Sequence, residues 1–273
     1  MKEENAQYLE KRLVYTGFGE ELIPELRQNM AEGKEKFELK FEKEISGKKV
    51  EANLKYSLSN QGNYFFNAYD LKINQIDKEP LERTFKVSNN ETFSLKEAFN
   101  LLEGRSVLKS YSNFEKGNED SKITELQSWS YLDASIKNSK RETENEVDLG
   151  VESKNNAIMR KCNNYDLDSL VSNLPIKNIE IPGVKADLIQ SLNRGNLQSV
   201  LLEKDGEFKK HFIEALPKYK TINIYSEQMV KLFIPNKKKE ELKTSEKKDN
   251  TEKLIQPGKN KQGNKNKNSQ GVR

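Results

Sequence analysis

The chain has 273 residues, 34% of them apolar and 33% charged, and a formal net charge of +4. No stretch approaches the ~18 uncharged apolar residues of a membrane-spanning helix. One cysteine, Cys162, and one histidine, His211, exclude an intrachain disulfide, a cysteine zinc site and the usual histidine-based triads and metal sites.

The opening residues are polar and of mixed charge, without the apolar segment of a secretory signal, and the expected location is the cytoplasm. Residues 3–15 are predicted as a helix with Leu9 and Leu13 on one face, and Gly17-Phe18-Gly19 breaks it from the next. Leu22, Leu26, Met30 and Gly33 are spaced by four, four and three residues, which marks a buried helix stripe ended by a left-handed glycine cap. Phe37 to Phe41 alternates apolar and charged residues as a half-buried strand does. Ser46-Gly47-Lys48 turns the chain into a second alternating strand over 50–58. Ser94-Leu95-Lys96-Glu97 is a capping box, followed by Leu95, Phe99, Leu102 and then Gly104. A strand starts at Val107-Leu108, turns at Lys116-Gly117-Asn118 and returns over 123–132.

Residues 137–155 hold nine charged residues and three sizeable apolar ones, as expected of an insertion or mobile hairpin and a domain boundary. Asp166 or Asp168 caps a short helix through Leu170 and Val171. Pro182 opens the next helix, where its fixed φ is tolerated. Val184, Leu188, Leu192 and Gly195 repeat the spacing of the first stripe. Val200-Leu201-Leu202 leads to Asp205-Gly206, the best short hairpin signal in the chain. Residues 208–213 return, and 221–225 add a further strand.

The common order is stripe, glycine cap, strand, turn and strand. It predicts an α+β fold of two to three repeated helix–β-hairpin units with antiparallel sheets. The expected organisation is an N-terminal α+β region over 1–136 with two such units, the charged insertion 137–155, and a C-terminal helix–hairpin module over 156–235. Residues 236–273 carry 12 Lys plus Arg against 5 acids, a net of +7 that leaves the rest at −3. This tail is too poor in apolar residues to offset its ordering entropy and is expected to be disordered.

No residue is assigned a catalytic, cofactor-binding or metal-binding role. His211 lies on a predicted strand with no oriented nucleophile marked near it, and Cys162 has no evident base. Tyr64-Phe65-Phe66-Asn67-Ala68-Tyr69 is the densest aromatic run. A strand apolar on both faces is usually covered on both, so the run is read as core rather than as a base-stacking platform. Gly47-Lys48-Lys49 and Gly33-Lys34 lack the rest of a phosphate loop and are turns. Carboxylates such as Glu42 and Glu44 fall on exposed strand faces.

The nucleic-acid or partner-binding candidates are cations. Lys259, Lys261, Lys265, Lys267 and Arg273 lie in an acid-free stretch that can neutralise phosphates with little sequence choice. A solubilising tail is the plainer reading of the same residues. Lys209, Lys210, Lys218 and Lys220 add cations near the third hairpin.

Several segments carry a family resemblance: Tyr15-Thr16-Gly17-Phe18-Gly19-Glu20, Lys96-Glu97-Ala98-Phe99-Asn100-Leu101-Leu102-Glu103-Gly104-Arg105, residues 178–200 and residues 212–225. Together they resemble an uncharacterised family of Bacteroidota proteins. The C-terminal module looks like one carried by large accessory proteins of conjugative transposons, some labelled as topoisomerase-associated. The resemblance spans most of 5–231, omits the tail and brings no catalytic residues. It implies a mobile-element context and a partner-binding role. The expected function is therefore that of a non-catalytic accessory protein that binds a protein partner, with nucleic acid held through the basic tail. Two other classes stand beside it. One is a carboxylate-dependent enzyme on nucleic acid or protein, which needs a cleft where several acids converge. The other is an anti-defence protein that binds and blocks a host enzyme, which an acidic patch would favour.

Overall fold

The structure is a computed structural model that describes residues 2–89, 91–115, 122–133 and 157–232. The predicted turn at 116–118, the charged segment 137–155 and the tail 236–273 lie outside the described residues. Among the described residues the fold is α+β, with five helices and eleven strands in three antiparallel sheets.

Helices α1 (Glu3–Thr16) and α2 (Ile23–Ala31) precede a meander of β1 (Lys36–Ile45), β2 (Lys48–Leu58), β3 (Tyr64–Gln75) and β4 (Lys78–Lys86), in that spatial order. Helix α3 (Leu95–Leu102) leads into β5 (Val107–Glu115), β6 (Lys122–Asp133) and β7 (Ile158–Cys162), again in order. Helices α4 (Leu167–Ser172) and α5 (Pro182–Asn193) lead into β8 (Gln198–Lys204), β9 (Glu207–Leu216), β10 (Thr221–Ser226) and the short β11 (Lys231–Leu232), ordered β11-β10-β9-β8. None of these helices is long and apolar enough to cross a membrane.

Local chemistry accounts for the helix boundaries. Ser94 and Glu97 form the full capping box at the start of α3, each side chain accepting from the other's backbone N–H. Asp166 caps α4 by accepting from the Ser169 N–H at 3.0 Å. Gly33, Gly104 and Gly195 follow α2, α3 and α5 with φ of 70°, 83° and 75°, the left-handed region where a side chain is strained. The strands of the first sheet alternate as period-2 elements must. In β1 the inward Phe37, Leu39 and Phe41 are buried while the residues between them are exposed. The outward face of that sheet is laced with ion pairs, Lys49 to Glu42 and Glu51 and Lys55 to Asp70.

Two hydrophobic cores lie on opposite faces of the second sheet. The first gathers α1, α2, α3 and the inner face of β1–β4, and receives Val107, Leu132 and Met159 from the second sheet. The other gathers α4, α5 and the inner face of β8–β10, and receives Leu108, Trp129 and Cys162. Strand alternation produces this directly. Val107 and Leu108 are adjacent, and the register pairs Leu108 with Trp129, Trp129 with Cys162, and Leu132 with Met159. The sheet is thus a partition rather than a ribbon under one helix.

Several expectations are corrected. The expected hairpins, with a further strand at 221–225, extend into sheets of four, three and four strands. β4 carries no clear strand signal in the sequence because Pro80 interrupts its pattern, and it occupies the edge position where a proline is tolerated. Strands β6 and β7, on either side of 137–155, pair with each other in the second sheet. Val184 is 42% exposed, so the stripe of α5 rests on Leu188 and Leu192. In the aromatic run, Tyr64, Phe66 and Tyr69 are core but Phe65 points outward and is 52% exposed.

Candidate docking groove

An open groove of about 520 Å³ lies where the second sheet meets α4 and α5. Leu108 and Trp129 face each other across β5 and β6, and Gln127 lies two residues along on the same face, so the sheet supplies one wall. Ile189 and Asn193, four residues apart on α5, supply another. The floor is the turn into α4. Asn164, at a left-handed φ of 60°, swings the chain so that Tyr165 meets the Trp129 ring edge-to-face at 5.2 Å. The Tyr165 hydroxyl donates to the Thr221 carbonyl at 2.8 Å, and burial pushes this phenol well above its usual range.

The rim carries two carboxylates, both engaged. Asp166 accepts from the backbone N–H and, at 2.6 Å, the hydroxyl of Ser169, and these bonds hold its carboxyl below the usual range. Asp168 accepts from Lys185 Nζ at 2.7 Å. A general acid needs a raised carboxyl pKa, and Asp166 has the opposite environment. Among the described residues no group of three or more His, Cys, Asp and Glu side chains is arranged to hold a metal ion. What the groove offers is shape, the apolar Leu108 and Ile189, and the side-chain amides of Gln127, Asn164 and Asn193.

The candidate cations of the body do not form one patch. Lys209 and Lys210 are consecutive on β9, so they project to opposite faces. Lys209 pairs with Glu207 at 3.0 Å, whereas Lys210 lies over the Phe212 ring, 5.4 Å from its centroid. Lys218 donates to the Asp133 carboxylate at 2.9 Å, which raises its pKa. Lys220 is exposed at a left-handed φ of 50°. Lys259, Lys261, Lys265, Lys267 and Arg273 lie outside the described residues. His211 is half-buried with its Nδ1 2.8 Å from the Lys209 carbonyl oxygen. The Cys162 thiol faces the carbonyls of Asn163 and Pro217, so its contacts are structural. Lys48, in the first hairpin turn, is bound to both oxygens of Glu103 at 2.9 and 2.7 Å.

Of the groove residues, the sequence marks only Asp166 and Asp168, and those as helix caps. Trp129 and Gln127 look like any alternating strand, and the groove exists only because β6 and α5, far apart in the chain, pack on the same core. Comparison of the chain with protein-family models, with curated proteins and with solved structures finds no match.

Proposed function

We propose that this chain is a non-catalytic, cytoplasmic interaction protein of a mobile genetic element, with the groove as its docking site for a protein partner. The observation that carries the reading is the state of the groove's polar groups. Asp166, Asp168 and the Tyr165 hydroxyl each serve a cap, an ion pair or a backbone bond and none is set up for acid–base chemistry, so the groove offers a ligand the apolar Leu108 and Ile189 beside the side-chain amides of Gln127, Asn164 and Asn193. The mobile-element setting rests on the family resemblance alone. The three successions of helix, left-handed glycine and antiparallel meander support the view that the body grew by repetition of one unit.

The occupant is a partner polypeptide presenting an apolar side chain with a basic residue beside it. The rim's two carboxylates face one lysine, so a cation is favoured there. Peptides selected from a random display library against the full chain should share that pattern. Ile189→Glu should weaken them at least tenfold, since a charge would then have to be desolvated in the wall, and because Ile189 also packs on the second core the melting temperature should fall while the chain stays folded at the assay temperature. Selected peptides that bind Ile189→Glu as well as the wild type would remove the groove from consideration.

The basic tail is a second, weaker tether, directed to nucleic acid. Removing 236–273 should leave the cooperative unfolding of the body intact and reduce retention on nucleic acid at low salt. Equal retention of full-length and truncated protein would refute the tether.

A further inference from the structure

A second surface, independent of the groove, lies on the face of the third sheet that turns away from its core. Along β9 the side chains of Ile213 and Ala215 enter the core, so Phe208, Lys210, Phe212 and Glu214 line the other face. The register sets Leu201 of β8 opposite Lys210, and Tyr225 of β10 opposite Phe212 and Lys231 of β11. Beyond β8 the segment at 175–177 adds a partial edge, where the Lys177 N–H donates to the Leu201 carbonyl at 2.9 Å. This brings Lys177 Nζ to 5.2 Å from the Phe208 ring centroid. Helices α4 and α5 pack on the opposite face, with the core. Phe208 is 46% and Leu201 41% exposed.

We propose that this face binds single-stranded nucleic acid, with bases stacked on Phe208 and Phe212 and phosphates held by Lys177, Lys210 and Lys231. Three observations argue for a strand rather than a protein. Rings and cations are interleaved across the sheet instead of forming the continuous apolar patch that a protein interface buries at its centre. Each of the two rings already carries a lysine at cation–π distance, the arrangement that lets a base take the ring while the ammonium moves to the adjacent phosphate. The +7 stretch of sequence begins four residues after Leu232, the end of this sheet's edge strand. Phe208 and Phe212 are four residues apart, ~13 Å by strand rise, which suits two bases of one strand that are not neighbours.

The face also carries acids. Glu214 is held at one end, accepting from the Tyr225 hydroxyl at 2.6 Å and the Asn223 amide at 2.8 Å, with the Arg105 guanidinium nearby. Glu227 lies 3.8 Å from Lys210, and Glu203 pairs in register with Phe208. Mixed charge of this kind makes the aromatic contacts, rather than net charge, the source of preference for unpaired bases.

The test uses the full chain with labelled oligothymidylate, oligouridylate and a duplex of equal length, followed by fluorescence anisotropy over a salt series. The wild type should bind the single strands more tightly than the duplex. Phe208→Ala should weaken single-strand binding about 5- to 100-fold while leaving the salt slope unchanged. Lys210→Ala should lower that slope by about one phosphate contact. Phe65→Ala, an exposed aromatic on another sheet, should leave binding as it is. Unchanged affinity in Phe208→Ala would assign all binding to the tail and overturn the proposal. So would equal affinity for duplex, an equal loss in Phe65→Ala, or no oligonucleotide binding at low salt, the result expected if a protein covers this face.

Discussion

Gly195→Ala should cost several times more stability than either Gly33→Ala or Gly104→Ala, although all three glycines end helices in the same left-handed conformation. The shared part of the cost is the strain of a Cβ at positive φ, about 1–2 kcal/mol. At Gly33 and Gly104 that is the whole of it, because an added Cβ meets nothing within 4 Å. At Gly195 it would stand 2.7 Å from the Ser106 carbonyl oxygen, 3.0 Å from Val107 Cγ2 and 3.2 Å from Asn100 Cβ. The first is backbone and cannot rotate away.

Relief would require α5 to withdraw from the end of α3, where Asn100 is fully buried. Its amide donates to the Arg194 carbonyl at 2.8 Å and to Asn196 Oδ1 at 2.9 Å, and its oxygen accepts from Arg105 at 2.8 Å. Losing even part of that interlock strands buried polar groups at about 1–3 kcal/mol each, on top of about 1–3 kcal/mol for overpacking. The expected total for Gly195→Ala, with one such group stranded, is therefore roughly 3–8 kcal/mol, a large part of a domain's usual 5–15 kcal/mol. Urea unfolding checks it through the midpoint at constant slope. Equal losses in all three variants would mean that α5 and α3 do not interlock at this glycine.

The contrast among these glycines also marks where sequence reasoning stops. Stripe and cap are local signals, and Leu22, Leu26 and Met30 followed by Gly33 could be read without knowing what the helix touches. That Gly195 meets Ser106 depends on contacts across some ninety positions, and no spacing carries it. The same division runs through the strands. β1 and β2 were legible because alternation and a glycine turn are both short-range. β7 was not, because five residues beyond a long charged segment acquire strand character only by pairing with β6.

The candidate cations fared likewise. Composition placed Lys209 and Lys210 together, yet consecutive strand residues point apart, and only Lys210 joins the face that carries Phe208 and Phe212. The groove was illegible for a further reason. Its polar residues are ordinary caps and ion pairs, so the distinctive feature is the wall formed when Trp129 and Ile189 meet on one core. Both surfaces are built from the middle and last sheets, whereas the first sheet contributes to neither and carries ion pairs on its outer face. Under the two proposals above, the chain would act as an adaptor that holds one partner in a groove and a nucleic acid on a sheet face.

Phe18→Ala should be the most damaging single truncation in the first core. In sequence Gly17-Phe18-Gly19 reads as a helix breaker, but the two glycines do more than interrupt. With φ of 86° and 81° they reverse the chain twice around Phe18, which drives its ring fully into the core. There it meets Phe41, Phe66 and Tyr69 at 5.3, 6.2 and 5.0 Å, each near edge-to-face. Phe66 continues into a stack with Tyr56 and Phe37 at 4.9 Å spacings, so Phe18 closes the end of an aromatic column. Phe18→Ala removes contacts on three sides from a place that α1 and the first sheet cannot both move to fill, and the expected loss is about 3–5 kcal/mol. Phe65→Ala, one position from the stacked Phe66 but outward on β3, should change stability by no more than ~0.5 kcal/mol. The pair separates two accounts of the aromatic run in β3. If strand alternation governs, only the inward neighbours matter, and the near-UV circular dichroism signal should melt at a clearly lower temperature in Phe18→Ala while Phe65→Ala resembles the wild type. If both variants unfold at the same reduced temperature, the outward face of that sheet must itself be covered, and the first sheet would have to be reassigned from a solvent-facing wall to an interface.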